Sequence, residues 1–126
     1  METININGIE YVEKSYYDSL SEERKAETLD DMEYCIVRTY SAGVFAGYVE
    51  KREGKEVTIR KVRRIWYWDG ANSLSQLAVD GTLKPKNCKF AVEVDKILVL
   101  EAIEIIPCTE KARRSIMGVE EWKIKN

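Results

Sequence analysis

The segment with the most chemistry to offer is a basic and aromatic stretch in the middle of the chain. Arg63 and Arg64 are followed closely by Trp66, Tyr67 and Trp68. A guanidinium can hold phosphate or carboxylate through two parallel hydrogen bonds, and an indole face can stack on a base. In an extended strand, Arg64 shares one face with Trp66 and Trp68. Arg63 shares the opposite face with Tyr67. The spacing therefore predicts a site for an anionic, ring-bearing ligand.

The turn after this strand adds backbone donors to the prediction. Asp69 and Gly70 form a turn, and Asn72 or Ser73 is placed to cap a short helix. A helix N-terminus exposes unpaired amides and the positive end of the helix dipole, which attract phosphate or carboxylate. The glycine spacing of a Walker loop or a dinucleotide fingerprint is missing. The alternative is a pair of core tryptophans beside a Ser-capped helix.

A second candidate segment consists of small residues, YSAGVFAG at positions 40–47. Glycine and alanine remove side chains from one face, so that another backbone or a flat ligand can approach closely. The alternative is tight strand packing or a bulge. Together the two segments give a predicted ligand site, which comprises Tyr40, Ser41, Gly43, Phe45, Arg63, Arg64, Trp66, Trp68, Gly70 and Ser73.

Residues that support catalysis are scarce. The sequence has no histidine, which removes the commonest general base. Cys35, Cys88 and Cys108 are far apart and odd in number, so reduced, buried thiols are favoured over disulfides or a zinc site. Glu93 and Asp95 share strand parity and could hold magnesium, but this spacing is more typical of solvated edge charges. We therefore predict a protein that is not an enzyme, with no catalytic residues, no metal and no cofactor.

The size and hydropathy of the chain fit a single folded domain. Its 126 residues are enough to bury about two-thirds of the unfolded surface, and 44% hydrophobic residues exclude a disordered chain. No apolar run approaches roughly 20 residues, and no basic flank precedes an apolar stretch at the N-terminus. We therefore expect a soluble, cytoplasmic protein with no membrane partner.

Charge is distributed unevenly along the sequence. Residues 1–33 hold 10 acidic and 3 basic residues, whereas residues 34–126 hold 12 acidic and 17 basic residues. The basic excess is concentrated at residues 51–64. This asymmetry permits an anionic ligand on the basic part, although a solvated strand face is the alternative. The net charge of −2 argues against nucleic acid as a partner.

Two structural units are predicted. Residues 1–32 form an acidic N-terminal unit, with a hairpin around Asn7-Gly8 and a short helix or linker over residues 20–29. Residues 33–126 form the main α+β domain, with strands over 34–40, 44–52, 57–68 and 96–106. Short helices are predicted over 73–79 and 110–116. The third strand needs a bulge or a sharp bend near residues 61–63, because Val62 breaks the parity of Val57 and Ile59.

The fold class that follows is α+β, with one curved, mostly antiparallel, barrel-like sheet and two or three short helices. The strand over residues 96–106 is long and contains acidic breaks, so we expect a bend in it. The predicted core comprises Ile36, Phe45, Ile59, Ile65, Leu74, Leu77, Phe90, Leu98 and Ile103.

Three stretches carry a resemblance to known sequences. They are RTYSAGVFAGY (38–48), RRIWYWDGANSLSQLA (63–78) and EIIPCTEKA (104–112). They resemble an uncharacterised family of small phage and prophage proteins, a domain of unknown function, over residues 33–124. The resemblance implies a phage origin and action in the cytoplasm of a bacterial host cell. It implies no activity and no site residue.

The leading hypothesis is a non-catalytic binding protein that sequesters an anionic small molecule, such as a nucleotide messenger of host antiviral defence. Binding proteins of this kind use subunit interfaces, so a homo-oligomer is expected. The main alternative is an inhibitor that docks on a host enzyme or defence protein through the basic strand and its aromatic residues. A nucleic-acid accessory protein and an enzyme are less favoured.

Overall fold

The computed structural model describes residues 25–123. The N-terminal hairpin predicted around Asn7-Gly8 lies outside the described residues. The described chain forms six strands and two helices in the order β1, β2, β3, α1, β4, β5, β6, α2. The strands are β1 (Glu33–Thr39), β2 (Val44–Glu53), β3 (Glu56–Tyr67), β4 (Lys89–Phe90), β5 (Val94–Val99) and β6 (Ala102–Pro107), and the helices are α1 (Leu74–Asp80) and α2 (Glu110–Gly118).

All the strands belong to one antiparallel sheet. Its order is β4-β3-β2-β1-β6, and β5 pairs with β3 as well. The long β3 therefore holds three partners, with β5 along its first half and β4 at its end. This confirms the α+β class with a mostly antiparallel sheet. The sheet is not closed among the described residues, so the barrel-like form is not confirmed.

The bulge predicted in β3 is present at Lys61, whose φ is +47°. Tyr48 pairs with Arg60 and Ala46 pairs with Arg63, so two residues of β3 face Gly47 alone. A Cβ on Gly47 would lie 2.7 Å from Ile59 Cγ2 and 2.9 Å from the Arg60 carbonyl oxygen. Gly47 therefore serves close strand packing, the second of the two interpretations of the small-residue segment.

Two apolar clusters are buried on the sheet. The helix-side cluster joins the sheet to both helices and includes Tyr34, Ile36, Ile65, Leu77, Phe90 and Ile116. The strand-side cluster comprises Val37, Phe45, Val57, Ile59, Val62 and Val99. Six of the nine predicted core residues are thus buried, namely Ile36, Phe45, Ile59, Ile65, Leu77 and Phe90.

The other three predictions of core residues were wrong or only partly right. Leu98 is 52% exposed and Ile103 is 47% exposed, whereas Leu74 is half-buried. Leu98 lies in β5 and Ile103 in β6, and among residues 25–123 each of these strands pairs on one side only. An edge strand has fewer neighbours to cover its apolar side chains.

The single strand predicted over residues 96–106 is two strands. A turn at Leu100 and Glu101 separates β5 from β6 at the place where a bend was expected. The turn is held by backbone hydrogen bonds from Tyr40 N to the Glu101 carbonyl and from Ala102 N to the Lys55 carbonyl, both 2.9 Å. The β5–β6 turn is therefore fastened to the loops at both ends of β2.

The helix boundaries follow local capping signals. Ser73 Oγ accepts a hydrogen bond from Gln76 N at 3.1 Å, and Gly81 ends α1 with a φ of +75°. Thr109 caps α2 in the same way, accepting from Ala112 N. In the part of the chain that the structure describes, neither helix has the length or apolar character needed to cross a bilayer.

The short helix predicted over residues 20–29 is wrong from Lys25 onward, because residues 25–29 are not helical. Lys25 instead forms an isolated antiparallel bridge with Thr109. Ala26 and Leu29 pack against the helix-side cluster, which ties this segment to the main domain.

Candidate ligand-binding pocket

An open pocket lies where β2 begins and β3 ends. Its volume is about 390 Å³, and its lining is Ala42, Gly43, Val44, Arg64, Ile65, Trp66 and Trp68. The two segments that sequence reasoning singled out therefore meet in one place. Arg64, Trp66 and Trp68, which strand alternation predicts to lie together, all line this pocket.

The register of the β2–β3 pair brings the two segments together. Val44 pairs with Ile65 and Phe45 pairs with Arg64. The turn before β2 is stabilised by Thr39 Oγ1, which donates to the Gly43 carbonyl at 2.7 Å and accepts from Ala42 N at 3.0 Å. Gly43 has a φ of +99°, a left-handed conformation that favours glycine, so this residue shapes the pocket wall through its backbone.

Arg64 supplies the positive charge of the pocket. Its Cζ lies 4.8 Å from the centroid of the Phe45 ring, directly opposite in the ladder. Its Nε is buried and has no hydrogen-bond partner within residues 25–123. A buried donor without an acceptor costs about 1–3 kcal/mol. Arg64 as a whole is half-buried and lines the pocket. Phe45 itself is fully buried, and its ring contacts the Arg64 guanidinium on the side away from solvent.

The two tryptophans form the aromatic part of the lining. Trp66 is 63% exposed, and Trp68 is half-buried because it packs partly against the helix-side cluster. Trp66 is the last indole within β3, whereas Trp68 follows the end of that strand at Tyr67. An exposed indole beside a guanidinium offers both ring area for stacking and charge to an anionic ligand.

Arg63 is not part of the pocket, contrary to the sequence prediction. Its guanidinium is buried and donates to four backbone carbonyls, with Nη1 2.8 Å from Ile116 O and 2.7 Å from Val119 O. Nε donates to Ala91 O and Nη2 to Phe90 O. Burial lowers the pKa of Arg63 below its ordinary value. Because the Arg63 guanidinium donates to backbone carbonyls within the fold, this residue does not belong to the proposed site.

Tyr40 and Ser41 lie beside the pocket but do not line it. Tyr40 is 78% exposed and borders a separate cavity with Lys55, Glu101 and Ile103. Ser41 Oγ donates to Glu101 Oε1 at 2.6 Å. These two residues therefore contact the β5–β6 turn.

Gly70 and Ser73 also lie outside the pocket lining. A Cβ on Gly70 would lie 2.5 Å from Lys84 N, so this glycine allows two loops to pack closely. The Ser73 hydroxyl is occupied in capping α1, a helix of seven residues. Ser73 is absent from the pocket lining that contains Arg64, so the N-terminus of α1 supplies no donor to that lining.

Three lining residues were missed in the sequence: Ala42, Val44 and Ile65. For Val44 and Ile65 the signal is the register of the β2–β3 hairpin, whereas Ala42 precedes β2. Glu53 pairs with Glu56 beside the turn, and two later irregularities shift the register in opposite directions. The two shifts cancel. Pairing the strands residue by residue from Glu53 and Glu56, as in a regular hairpin, therefore also places Val44 opposite Ile65.

Fold and pocket together define an α+β protein with an Arg-Trp pocket at one end of a central hairpin. Residues 32–116 match the family described as Domain of unknown function (DUF6948). This match covers 85 of the 126 residues, and the chain belongs to that family. Neither a curated protein nor a solved structure matches the chain. The matched segment contains all six strands and every residue that lines the pocket.

Proposed function

We propose that this chain is a non-catalytic binding protein whose pocket takes an anionic, ring-bearing small molecule, with a nucleotide as the ligand class. The observation that carries the proposal is the state of Arg64. Within the described residues its guanidinium has no carboxylate partner, its Nε lacks an acceptor, and it lies beside two indoles in one pocket.

Each lining group has a defined role in this proposal. Arg64 binds the anionic group, and its position over Phe45 limits the conformational freedom that binding would otherwise remove. Trp66 stacks on the ring, and Trp68 closes the pocket behind it. A charge-assisted hydrogen bond contributes about 1.5–3 kcal/mol and a stacked ring about 1–3 kcal/mol. Their sum corresponds to a dissociation constant between about 10 mM and tens of micromolar.

The finer proposal is that binding serves sequestration. The motifs resemble those of phage and prophage proteins, and a phage protein in the bacterial cytoplasm gains from removing a nucleotide messenger of host antiviral defence. Sequestration requires affinity and no turnover, in keeping with a pocket whose lining has one charged residue. A homo-oligomer is part of the same proposal.

A second candidate is an inhibitor that docks on a host enzyme or defence protein. The surface that favours it lies at the β4 edge of the sheet, where Tyr67 pairs with Lys89 and Lys89 Nζ lies 5.3 Å from the centroid of the Trp122 ring. Tyr67 and Trp122 are each about half exposed. Exposed aromatic side chains beside a cation are typical of binding hot spots.

Mass spectrometry of small molecules released by heat tests the first proposal. Protein purified from bacteria should release one anionic ring compound. Calorimetry with that compound should show affinity losses of about tenfold or more for Arg64→Gln and for Trp66→Ala. Arg52→Gln and Tyr67→Ala are the matched controls, since neither residue lines the pocket.

Unchanged affinity in both pocket variants would remove the pocket from the proposal. A protein that releases no small molecule but captures one host enzyme would favour the inhibitor instead. In that case Tyr67→Ala should weaken capture and Trp66→Ala should weaken it less.

A further inference from the structure

The charge of the pocket is small. Among the described residues that line it, Arg64 alone carries a charge, and the rest of the lining is aliphatic, aromatic or backbone. The two other arginines of β3 have partners elsewhere. Arg60 contacts Glu50 at 3.0 Å and Asp95 at 3.6 Å, and Arg63 is bound to backbone carbonyls.

The turn that forms one wall of the pocket carries a negative group nearby. Ser41, which precedes Ala42 of the lining, donates a hydrogen bond to the carboxylate of Glu101. The neighbouring cavity that Glu101 lines also contains Lys55, so a ligand with several phosphates would find one cation in the pocket and no net charge in that cavity. Additional phosphates would gain no counter-charge from the pocket lining.

The spacing of the pocket residues sets a second constraint. Arg64 and Trp66 are two residues apart in β3, which corresponds to about 7 Å along a strand. One sugar unit between a base and a phosphodiester spans a separation of this order. The cavity volume of about 390 Å³ lies at the lower end of the roughly 300–1,000 Å³ range of ligand pockets. It accommodates one nucleoside unit better than several.

We propose that the ligand carries a single negative charge one sugar away from its ring, as a cyclic nucleoside monophosphate does, and not a chain of phosphates. This inference rests on the proposed function and specifies the ligand of the same pocket. Arg64 pairs with the one phosphodiester charge, and Trp66 stacks on the base.

Calorimetry on the full chain with three sets of probes tests the charge of the ligand. The probes are the nucleosides, the 3′,5′-cyclic monophosphates and the 5′-triphosphates of adenine, guanine, cytosine and uracil. For the base that binds best, the cyclic monophosphate should bind about tenfold or more tightly than the nucleoside, because of one charge-assisted contact. The triphosphate of that base should bind no more tightly than the cyclic monophosphate.

Variants test whether Arg64 causes the difference in affinity between the cyclic monophosphate and the nucleoside. In Arg64→Gln, the nucleoside and the cyclic monophosphate should bind with equal affinity, because the guanidinium that would bind the phosphate is absent. Arg52→Gln should keep the difference, since Arg52 borders a separate cavity. A thermal melt of each variant that matches the unmodified chain controls for folding.

The outcomes separate the two proposals. A triphosphate that binds about tenfold more tightly than the cyclic monophosphate would overturn the single-charge inference and leave the proposed function standing. Equal binding of nucleoside and cyclic monophosphate by the unmodified chain would also overturn the inference. If no probe of any set binds and no compound is released by heat, both proposals fail.

Discussion

Arg63 and Arg64 are neighbours in β3, yet their guanidinium groups lie over rings of different apolar clusters, Phe90 and Phe45, on opposite faces of the sheet. Arg63 donates to the carbonyls of Ile116 and Val119 at the end of α2, whereas Arg64 lies over the Phe45 ring beside the pocket. One arginine therefore stabilises the fold and the other remains available to a ligand. This division follows from strand alternation, which turns successive side chains to opposite faces.

Replacing Arg63 should destabilise the fold strongly. Arg63→Met leaves buried carbonyls without donors, and we expect a loss of about 3–5 kcal/mol in the free energy of unfolding. Arg64→Met is the matched control and should cost at most about 1 kcal/mol, since it removes one cation–π contact. Urea denaturation measures both values. Equal losses in the two variants would contradict the assignment of Arg63 to the fold.

Gly47 should not tolerate a methyl group. In Gly47→Ala the new Cβ would contact Ile59 Cγ2, Arg60 O and Val62 Cα at 2.7–2.9 Å, so the bulged strand must shift. We expect a loss of about 1–3 kcal/mol in the free energy of unfolding, measured by urea denaturation. Gly118→Ala is the control, because no atom lies within 4 Å of the added Cβ, and it should be neutral or slightly stabilising. A neutral Gly47→Ala would show that the bulge relaxes freely.

Acid should weaken the contacts at the start of α2. Arg113 lies 2.6 Å from Glu110 Oε2, Glu27 N donates to Oε1, and these contacts, with Arg114, lower the pKa of Glu110 to about 2. A lowered pKa in the folded state contributes stability above the unfolded pKa of 4.5, and this stability is lost as the pH falls towards 2.

The comparison with Glu110→Gln measures this contribution. The difference in melting temperature between the unmodified chain and the variant should be constant above pH 4.5 and shrink as the pH approaches 2. Arg113→Gln removes the largest cause of the shift and should weaken the pH dependence of the Glu110→Gln difference. A difference that persists unchanged to pH 2 would refute this account.

The segment from Lys25 to Met32 should matter for stability, although its charge pattern predicts a separate unit. Ala26 N donates to the Cys108 carbonyl, Glu27 contacts Arg113 at 3.2 Å, and Leu29 packs on the helix-side cluster. A chain without residues 1–31 should therefore unfold more easily than one without residues 1–24, by about 1–3 kcal/mol. Identical denaturation midpoints for the two chains would contradict this. Leu29→Ala in the full chain should reproduce part of the loss, and the exposed Thr28→Ala should not.

Sequence reasoning succeeded where the cause is local. The Ser73 cap depends on a donor three residues away, and the Gly81 stop depends on one dihedral angle. The bulge at Lys61 was visible as a break in the parity of apolar residues. The meeting of Arg64 with Trp66 follows from alternation within one strand.

Sequence reasoning failed where contacts between distant parts of the chain determine the structure. Leu98 and Ile103 are as apolar as core residues. Their sequence pattern does not show that they lie in edge strands, where no element within residues 25–123 covers them. The carbonyls that bind Arg63 are 27–56 residues away in sequence, and no local signal marks them. The charges of the segment before Met32 predict an exposed segment. Its contacts with the main domain are made to Cys108 and α2, which are distant in sequence.

The interior position of β3 in the sheet, with β2 on one side and β4 and β5 on the other, has a consequence for synthesis. The hairpin of β2 and β3 is closed by a short turn at Gly54, whereas the pairs of β3 with β5 and of β1 with β6 join residues about 30–70 positions apart. Short loops close at a smaller entropic cost, so we expect this hairpin to form first as the chain leaves the ribosome. Until β5 is made, the first half of β3 presents a bare edge. The charged side chains of Arg60 and Lys61 on that half would then discourage pairing with other nascent chains.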